Sequence, residues 1–280
     1  MKKIAFVGLT NLDYVYYVDR MPEENAKCRT TQYERYIGGP AANAAITYAL
    51  LGGDATLITA FGTSGESKQI AEELESLGVK CINLSPENTK PGVSAICISD
   101  NGNRTIISGQ AEYFGVTETS IREQVTDAFL AQFDGALFDC NRTDIALPIL
   151  QRIKSEIVLD AGSFKEHTET FLQRASVVIS SEKFRDPSGR DVFSLPYENI
   201  VHRAMTRGER SIITDSGEVP VSQVNCVDSL AAGDILHGAF CFFYFEKGLD
   251  FTEALKEASR IASKSVRFKG PRAWCEFNRE

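Results

Sequence analysis

Much of what would mark other protein classes is missing from this 280-residue chain. It carries no Gly-x-x-x-x-Gly-Lys-Ser/Thr loop and no Gly-x-Gly-x-x-Gly after its first apolar run. Neither a Walker-type NTPase nor a dinucleotide-binding enzyme is supported. Long apolar runs are absent: the longest, Ala239 to Phe245, falls far short of the roughly 20 residues of a membrane span. The apolar stretch after Met1-Lys2-Lys3 is too short for a signal peptide, so a cytoplasmic, membrane-free protein is expected. Positive charge is not in surplus. Thirty basic residues against 38 acidic ones leave a net charge of −8, which argues against nucleic acid as a partner. The three histidines, His167, His202 and His237, lack metal-ligand spacing, and His237 is read as helix packing. Seven cysteines, an odd number without a Cys-x-x-Cys pair, indicate reduced thiols.

What is present is concentrated in residues 228–240, Asp-Ser-Leu-Ala-Ala-Gly-Asp-Ile-Leu-His-Gly-Ala-Phe. Ala231, Ala232 and Gly233 lie between two aspartates, directly before a helical apolar pattern. Small side chains let the free N–H groups of a helix start approach an anion, and the helix dipole favours phosphate there. Asp234, on the first turn, would stand beside that anion and could take a proton from an attacking hydroxyl. The plainer reading is a turn with Asp228 or Asp234 as a cap.

A second glycine motif lies far upstream, Ile37-Gly38-Gly39-Pro40-Ala41-Ala42-Asn43. Gly38-Gly39 ends a β-rich segment, Pro40 suits a first helical turn, and the alanines favour helix. Asn43 falls on the first turns of that helix. Together, Gly-Gly-x-x-x-Asn near the start and Asp-x-x-Ala-Ala-Gly-Asp near the end resemble the ribokinase-like (PfkB) carbohydrate kinases.

That resemblance spans nearly the whole chain and implies an ATP-dependent sugar kinase with Mg²⁺. Asp13, Gly38, Gly39 and Asn43 would hold sugar hydroxyls, Asp234 would be the base, and residues 231–233 the anion hole. Thr206 and Gly208, with Lys269 and Gly270, resemble the segments that approach the nucleotide. Asn141 or Arg142, after a strand end, would discriminate substrates. An arginine there could grip an anionic substituent, while its plain reading is a surface or helix-start residue. Residues 7–18 and Ser181-Glu182 look similar to the sulfofructose kinase branch, whose strand-end arginine is displaced by one here, at Arg142. Departures concern the metal. Gly62-Thr63-Ser64-Gly65-Glu66 lacks the family's aspartate, and Ser180-Ser181-Glu182-Lys183-Phe184 replaces its Asn-x-x-Glu. Glu182 is left to hold Mg²⁺ through water, and K⁺ near Asp228 is implied by resemblance alone. A nucleoside kinase of the same fold and a silent sugar-binding or regulatory protein are the alternatives.

The periodicity predicts one α/β domain over 1–280, a mostly parallel sheet with helices on both faces. Strands are expected at Lys3–Gly8, Ala55–Phe61, Gly135–Asp139, Ile157–Asp160 and Val177–Ser180. Helices are expected at Ala41–Leu51, Ser67–Leu77, Asp144–Lys154, Glu166–Arg174, Ala231–Lys247 and Phe251–Phe268. Excursions at 14–36 and 93–108 read as a small β-sheet lid, and the resemblance implies a homodimer through it. Asp100-Asn101-Gly102-Asn103 is a hairpin signal. Trp274 is read as packing or as a neighbour of the adenine.

Overall fold

The first strand, β1 (Lys3–Val7), is buried at four of its five positions, the pattern of a strand covered on both faces. In the computed structural model, which describes residues 1–30, 32–100, 102, 104–109 and 115–278, β1 lies well inside a nine-stranded sheet. On one side lie β4 (Asp54–Thr59) and β5 (Val79–Asn83). On the other lie β8 (Gly135–Phe138), β9 (Glu156–Ala161), β10 (Val177–Ser181) and β11 (His202–Arg207), all parallel. Antiparallel β12 (Arg210–Thr214) and β13 (Gly217–Val219) close that edge.

Strand side chains alternate between faces, so β1 feeds two cores. Ile4 and Phe6 pack with α1 (Pro40–Leu50), α2 (Gly65–Ser76), α7 (Ala232–Cys241) and α8 (Phe251–Ser265). Ala5 and Val7 pack with α3 (Glu118–Gln124), α4 (Asp127–Leu130), α5 (Thr143–Leu150) and α6 (Thr168–Leu172). Helix starts are written in the sequence: Ser64 and Ser67 form a reciprocal capping box on α2, and Thr117 and Ser120 repeat it on α3.

The second sheet has four strands, ordered β3 (Gln32–Gly38), β2 (Asn11–Val18), β6 (Gly92–Ser99), β7 (Arg104–Gly109). This is the expected lid, with one correction. β2 begins at Asn11, since its whole length pairs with β6 in parallel, so Asp13 lies inside the lid rather than just beyond β1. Asn101 and Asn103 of the expected hairpin lie outside the described residues. The helix expected to run to Lys247 changes at Cys241 into a π-turn, Phe242–Glu246, in which Lys247 N–H reaches Phe242 O. The wider turn sets Phe242 edge-on to Tyr48 and lays Phe245 against Gly135. The helix expected over Glu166–Arg174 is only α6, because His167 before it is left-handed (φ 65). β5, β11 to β13, α3 and α4 were not anticipated: charged or polar residues interrupt their alternation.

Candidate active site

The chain leaves β1 toward β4 on one side and reaches β8 on the other, which opens a crevice beyond the carboxyl ends of these strands. Asp139, just past β8, organises it. Its Oδ2 accepts the N–H groups of Leu9 (2.9 Å) and Ala41 (3.0 Å), and its Oδ1 accepts Asn141 N–H (2.9 Å). One carboxylate thus ties the β1 loop, the α1 start and its own loop together, while burial pushes its pKa up. Gly39, the N-cap of α1, has φ 97, and a Cβ there would run into Leu9 O, so this turn requires glycine.

Helices α1 and α7 cross closely because the contact is built from small residues. A Cβ on Gly238 would collide with Ala44 O. The close crossing brings the two glycine motifs together: Asn43 Nδ2 donates to Asp234 Oδ2 at 2.8 Å. Asp234 sits in the first turn of α7, behind the left-handed N-cap Ala231 (φ 58). Its carboxyl is enclosed by protein, with a partial opening to the crevice, and its pKa is pushed up to about 7. Burial is the main cause and the charge of Asp160 the next. The Asn43 hydrogen bond and His237 act against them, and Asp139 adds to the rise. His237 packs as expected, with Nδ1 2.8 Å from Gly233 O and Nε2 3.3 Å from Ile179 O; Asp160 Oδ2 lies 3.6 Å from Nδ1.

The lid supplies the roof. Asn11 Nδ2 donates to Asp13 Oδ1 (2.7 Å) and Ser94 Oγ (2.8 Å), and Ser94 meets Ser108 (3.2 Å). Asp13 is buried, which raises its pKa against the opposing effects of Asn11, Ser94 and Arg272. Gly38 faces it, and a Cβ there would collide with the carboxylate. Arg272 closes this wall, its Nη2 donating to Ile37 O (2.7 Å) and reaching Asn43 Oδ1 (3.4 Å).

Asn141 turns its Oδ1 to Lys165 Nζ (2.5 Å). Arg142 is buried rather than on the surface, and it is the N-cap of α5. Its guanidinium grips Asp144 at 2.9 and 2.6 Å and donates to Ala60 O at 2.9 Å. Those contacts hold the group that the sequence reading offered to an anionic substrate.

Thr206, Gly208, Ala232 and Gly233 line one cavity of about 320 Å³, walled by Ile212, Val221, Leu236 and Val266. Ser259, Ala262 and Ser263 reach it from α8, and Val266 from its C-cap. Their i, i+3, i+4, i+7 spacing was visible in the sequence but not singled out. A Cβ on Gly233 would meet nothing within 4 Å, so this glycine keeps space open rather than permitting a contact. Ala232 N–H is used by Ser229 O at 3.3 Å; helix geometry leaves the N–H groups of Gly233 and Asp234 for a ligand.

Lys269 and Gly270 do not line that cavity; they lie against the lid. Lys269 Nζ donates to Gln32 Oε1 (2.7 Å) and sits 4.8 Å from the Tyr17 ring centre. Gly270 N–H donates to Asp228 Oδ2 (2.9 Å), which also accepts Tyr17 O–H (3.0 Å), while Asp228 Oδ1 accepts Leu230 N–H (2.8 Å). Trp274 is buried packing, with Nε1 on Pro271 O. Glu182 is exposed and paired with Arg210. Among the described residues, no three His, Cys, Asp or Glu side chains gather as metal ligands.

Comparison with known proteins finds carbohydrate and nucleoside kinases. A family model described as pfkB family carbohydrate kinase matches residues 1–156. A deoxyribokinase from Salmonella typhi is 23% identical over 95% of this chain and 93% of its own. A nucleoside kinase from Methanothermobacter thermautotrophicus is 26% identical over 96% and 91%. The crystal structure of a ribokinase from Thermotoga maritima shares the fold, with a TM-score of 0.80 at 22% identity over 98% of this chain and 96% of that one.

Proposed function

This chain belongs to the PfkB family of carbohydrate kinases, an ATP-dependent kinase of sugars or nucleosides, and from that premise we propose a single kinase unit over 1–280 that phosphorylates a primary hydroxyl of a sugar. The observation that carries the reading is the 2.8 Å bond between Asn43 and Asp234, which joins two motifs 191 residues apart at one crevice.

Asp13, Gly38, Gly39 and Asn43 bind and orient the sugar so that its hydroxyl faces Asp234. Asp234 takes the proton as the hydroxyl oxygen bonds to the γ-phosphorus of ATP, the bond to the β–γ bridging oxygen breaks and ADP leaves, while the N–H groups at the α7 start stabilise charge on the transferred group. Positioning and electrostatics supply most of the acceleration, as in phosphoryl transfer generally. A carboxyl tuned to about 7 suits a base that must be ionised near neutrality yet still attract a proton. Thr206 and Gly208 flank the nucleotide in the cavity that also exposes Gly233. Lys269 and Gly270 serve the lid side of the site.

Magnesium usually keeps several waters and takes one or two carboxylates plus substrate phosphates. The absence of a clustered ligand set among the described residues fits that arrangement. Glu182, exposed and within reach of water, would hold the ion through water, and bound Mg²⁺ would supply charge neutralisation on the phosphates. Asp228 fits a K⁺ ligand poorly, because three protein donors already occupy its carboxylate, and we derive no step through that ion.

The polar roof of Asn11, Asp13, Ser94 and Ser108 favours sugar hydroxyls over a nucleobase. ATP consumption with pentoses, ketohexoses, acidic ketose derivatives and nucleosides tests the reading. Turnover confined to nucleosides would overturn the sugar assignment, and none with any acceptor would favour a silent binding protein. The exposed Tyr33 and Ile107 on the lid support a homodimer through that sheet, which sedimentation would test.

A further inference from the structure

Arg272 belongs to none of the motifs, yet it reaches the base at one remove. Its backbone is pinned on both sides, by Gly270 N–H on Asp228 and by Trp274 Nε1 on Pro271 O. Its Nη2 points to Ile37 O at 2.7 Å and to Asn43 Oδ1 at 3.4 Å. Its Nε and Nη1 are sealed from solvent without a hydrogen-bond partner among the described residues. Leaving guanidinium donors buried and unpaired costs stability, so packing alone gives no reason to keep an arginine here.

The hydrogen-bond inventory supplies one. A guanidinium only donates and an ionised carboxylate only accepts. An amide between them has one satisfactory orientation, oxygen toward Arg272 and NH₂ toward Asp234. We propose that Arg272 is a positioning residue, which locks the Asn43 amide so that its NH₂ end faces Asp234. This rests on Asp234 being the base. Without Arg272 the amide is free to turn its oxygen to the carboxylate, losing a hydrogen bond that favours the ionised form.

The surrounding charges are fixed by other elements. Asp160 from β9, Asp139 beyond β8 and His237 on α7 act on Asp234. Glu73 from α2, Asp13 from β2, Tyr36 from β3 and Cys275 act on Arg272.

The test is the acidic limb of kcat/KM against pH in purified, full-length enzyme. Arg272→Met is expected to move the limb upward by about half to one pH unit, a roughly 3- to 10-fold loss below the limb, the scale of one hydrogen bond. Arg272→Lys keeps a donor and is expected to recover most of that loss. In an Asn43→Ala background, Arg272→Met should add no further shift. If Arg272→Met does not fold, Arg272→Gln, two atoms short of Asn43 Oδ1, is expected to show the same shift. An unmoved limb in a folded variant overturns the inference, as does a full shift that persists without Asn43. Asp234→Asn separates the two claims. Lost turnover with an unmoved limb in Arg272→Met sinks only the positioning role, and retained turnover in Asp234→Asn sinks the base assignment and this inference with it.

Discussion

Asp234, the proposed base, sits in an environment unfavourable to its charge, and the two consequences can be measured apart. Asp234→Asn is expected to lower turnover by at least roughly 10²-fold with ATP affinity nearly unchanged, the scale of general-base loss. Because the folded pKa stands above the ordinary 3.8, the folded state holds a proton there that the unfolded chain releases. Stability from this group is therefore present at low pH and is lost as pH rises toward about 7. Melting curves should show Asp234→Asn gaining on the wild type from pH 5 to pH 8; an equal difference at both would contradict the shift. Gly233→Ala is a sharper probe of the phosphate cradle, since the added methyl meets no protein atom and alanine favours helix. Its melting temperature should hold or rise while turnover falls; wild-type turnover would mean that no anion sits there. Asp234, Gly233 and Asn43 could be singled out in the sequence because they stand in short patterns, each with a plainer reading beside it, and Asp13 only through the family resemblance. Asp139, Asp160 and Arg272 could not. A charged residue in a chain with 24% charged residues says nothing until the fold chooses its neighbours.

Elements were legible where periodicity was strong. The strands β1 to β4 and β6 to β10 and the helices α1, α2, α7 and α8 lie close to where alternation and helical spacing set them. The signal failed where tertiary contacts override local preference. The hairpin strands β11 to β13 carry charged residues at a sheet edge, and the π-turn after Cys241 depends on aromatic partners distant in sequence. The α1–α7 crossing belongs to this scale also. Its alanines looked like ordinary helix formers, yet their smallness lets Asn43 reach Asp234. Gly238→Val should drive the helices apart at Ala44 O, lower the melting temperature and cut kcat more than ATP affinity. Unchanged kcat in the folded variant would show that the Asn43–Asp234 distance does not matter to turnover.

At the scale of the molecule, two of the polar contacts between the lid and the main body adjoin the α7 loop. Tyr17 O–H reaches Asp228, and Arg104 donates to Ser229 O (2.8 Å) and Oγ (2.6 Å). Arg104→Ala, at an exposed position, should leave melting almost unaltered while raising acceptor KM a few fold, by loosening the hold of the lid on Ser229. If only KM for ATP rises, the lid does not report on the acceptor. The strand order bears on how the molecule is made. β1 leaves the ribosome first but pairs with β8, more than 130 residues later. Until then one edge of β1 stands open, at a length where non-local pairing is slow and exposed edges invite association. β9 to β11 can then add in chain order, each against a finished neighbour. The proposed base comes late: Asp234 meets Asn43 only when α7 docks on α1, so a nascent chain whose sheet strands are all made still lacks the pairing on which the proposed chemistry depends.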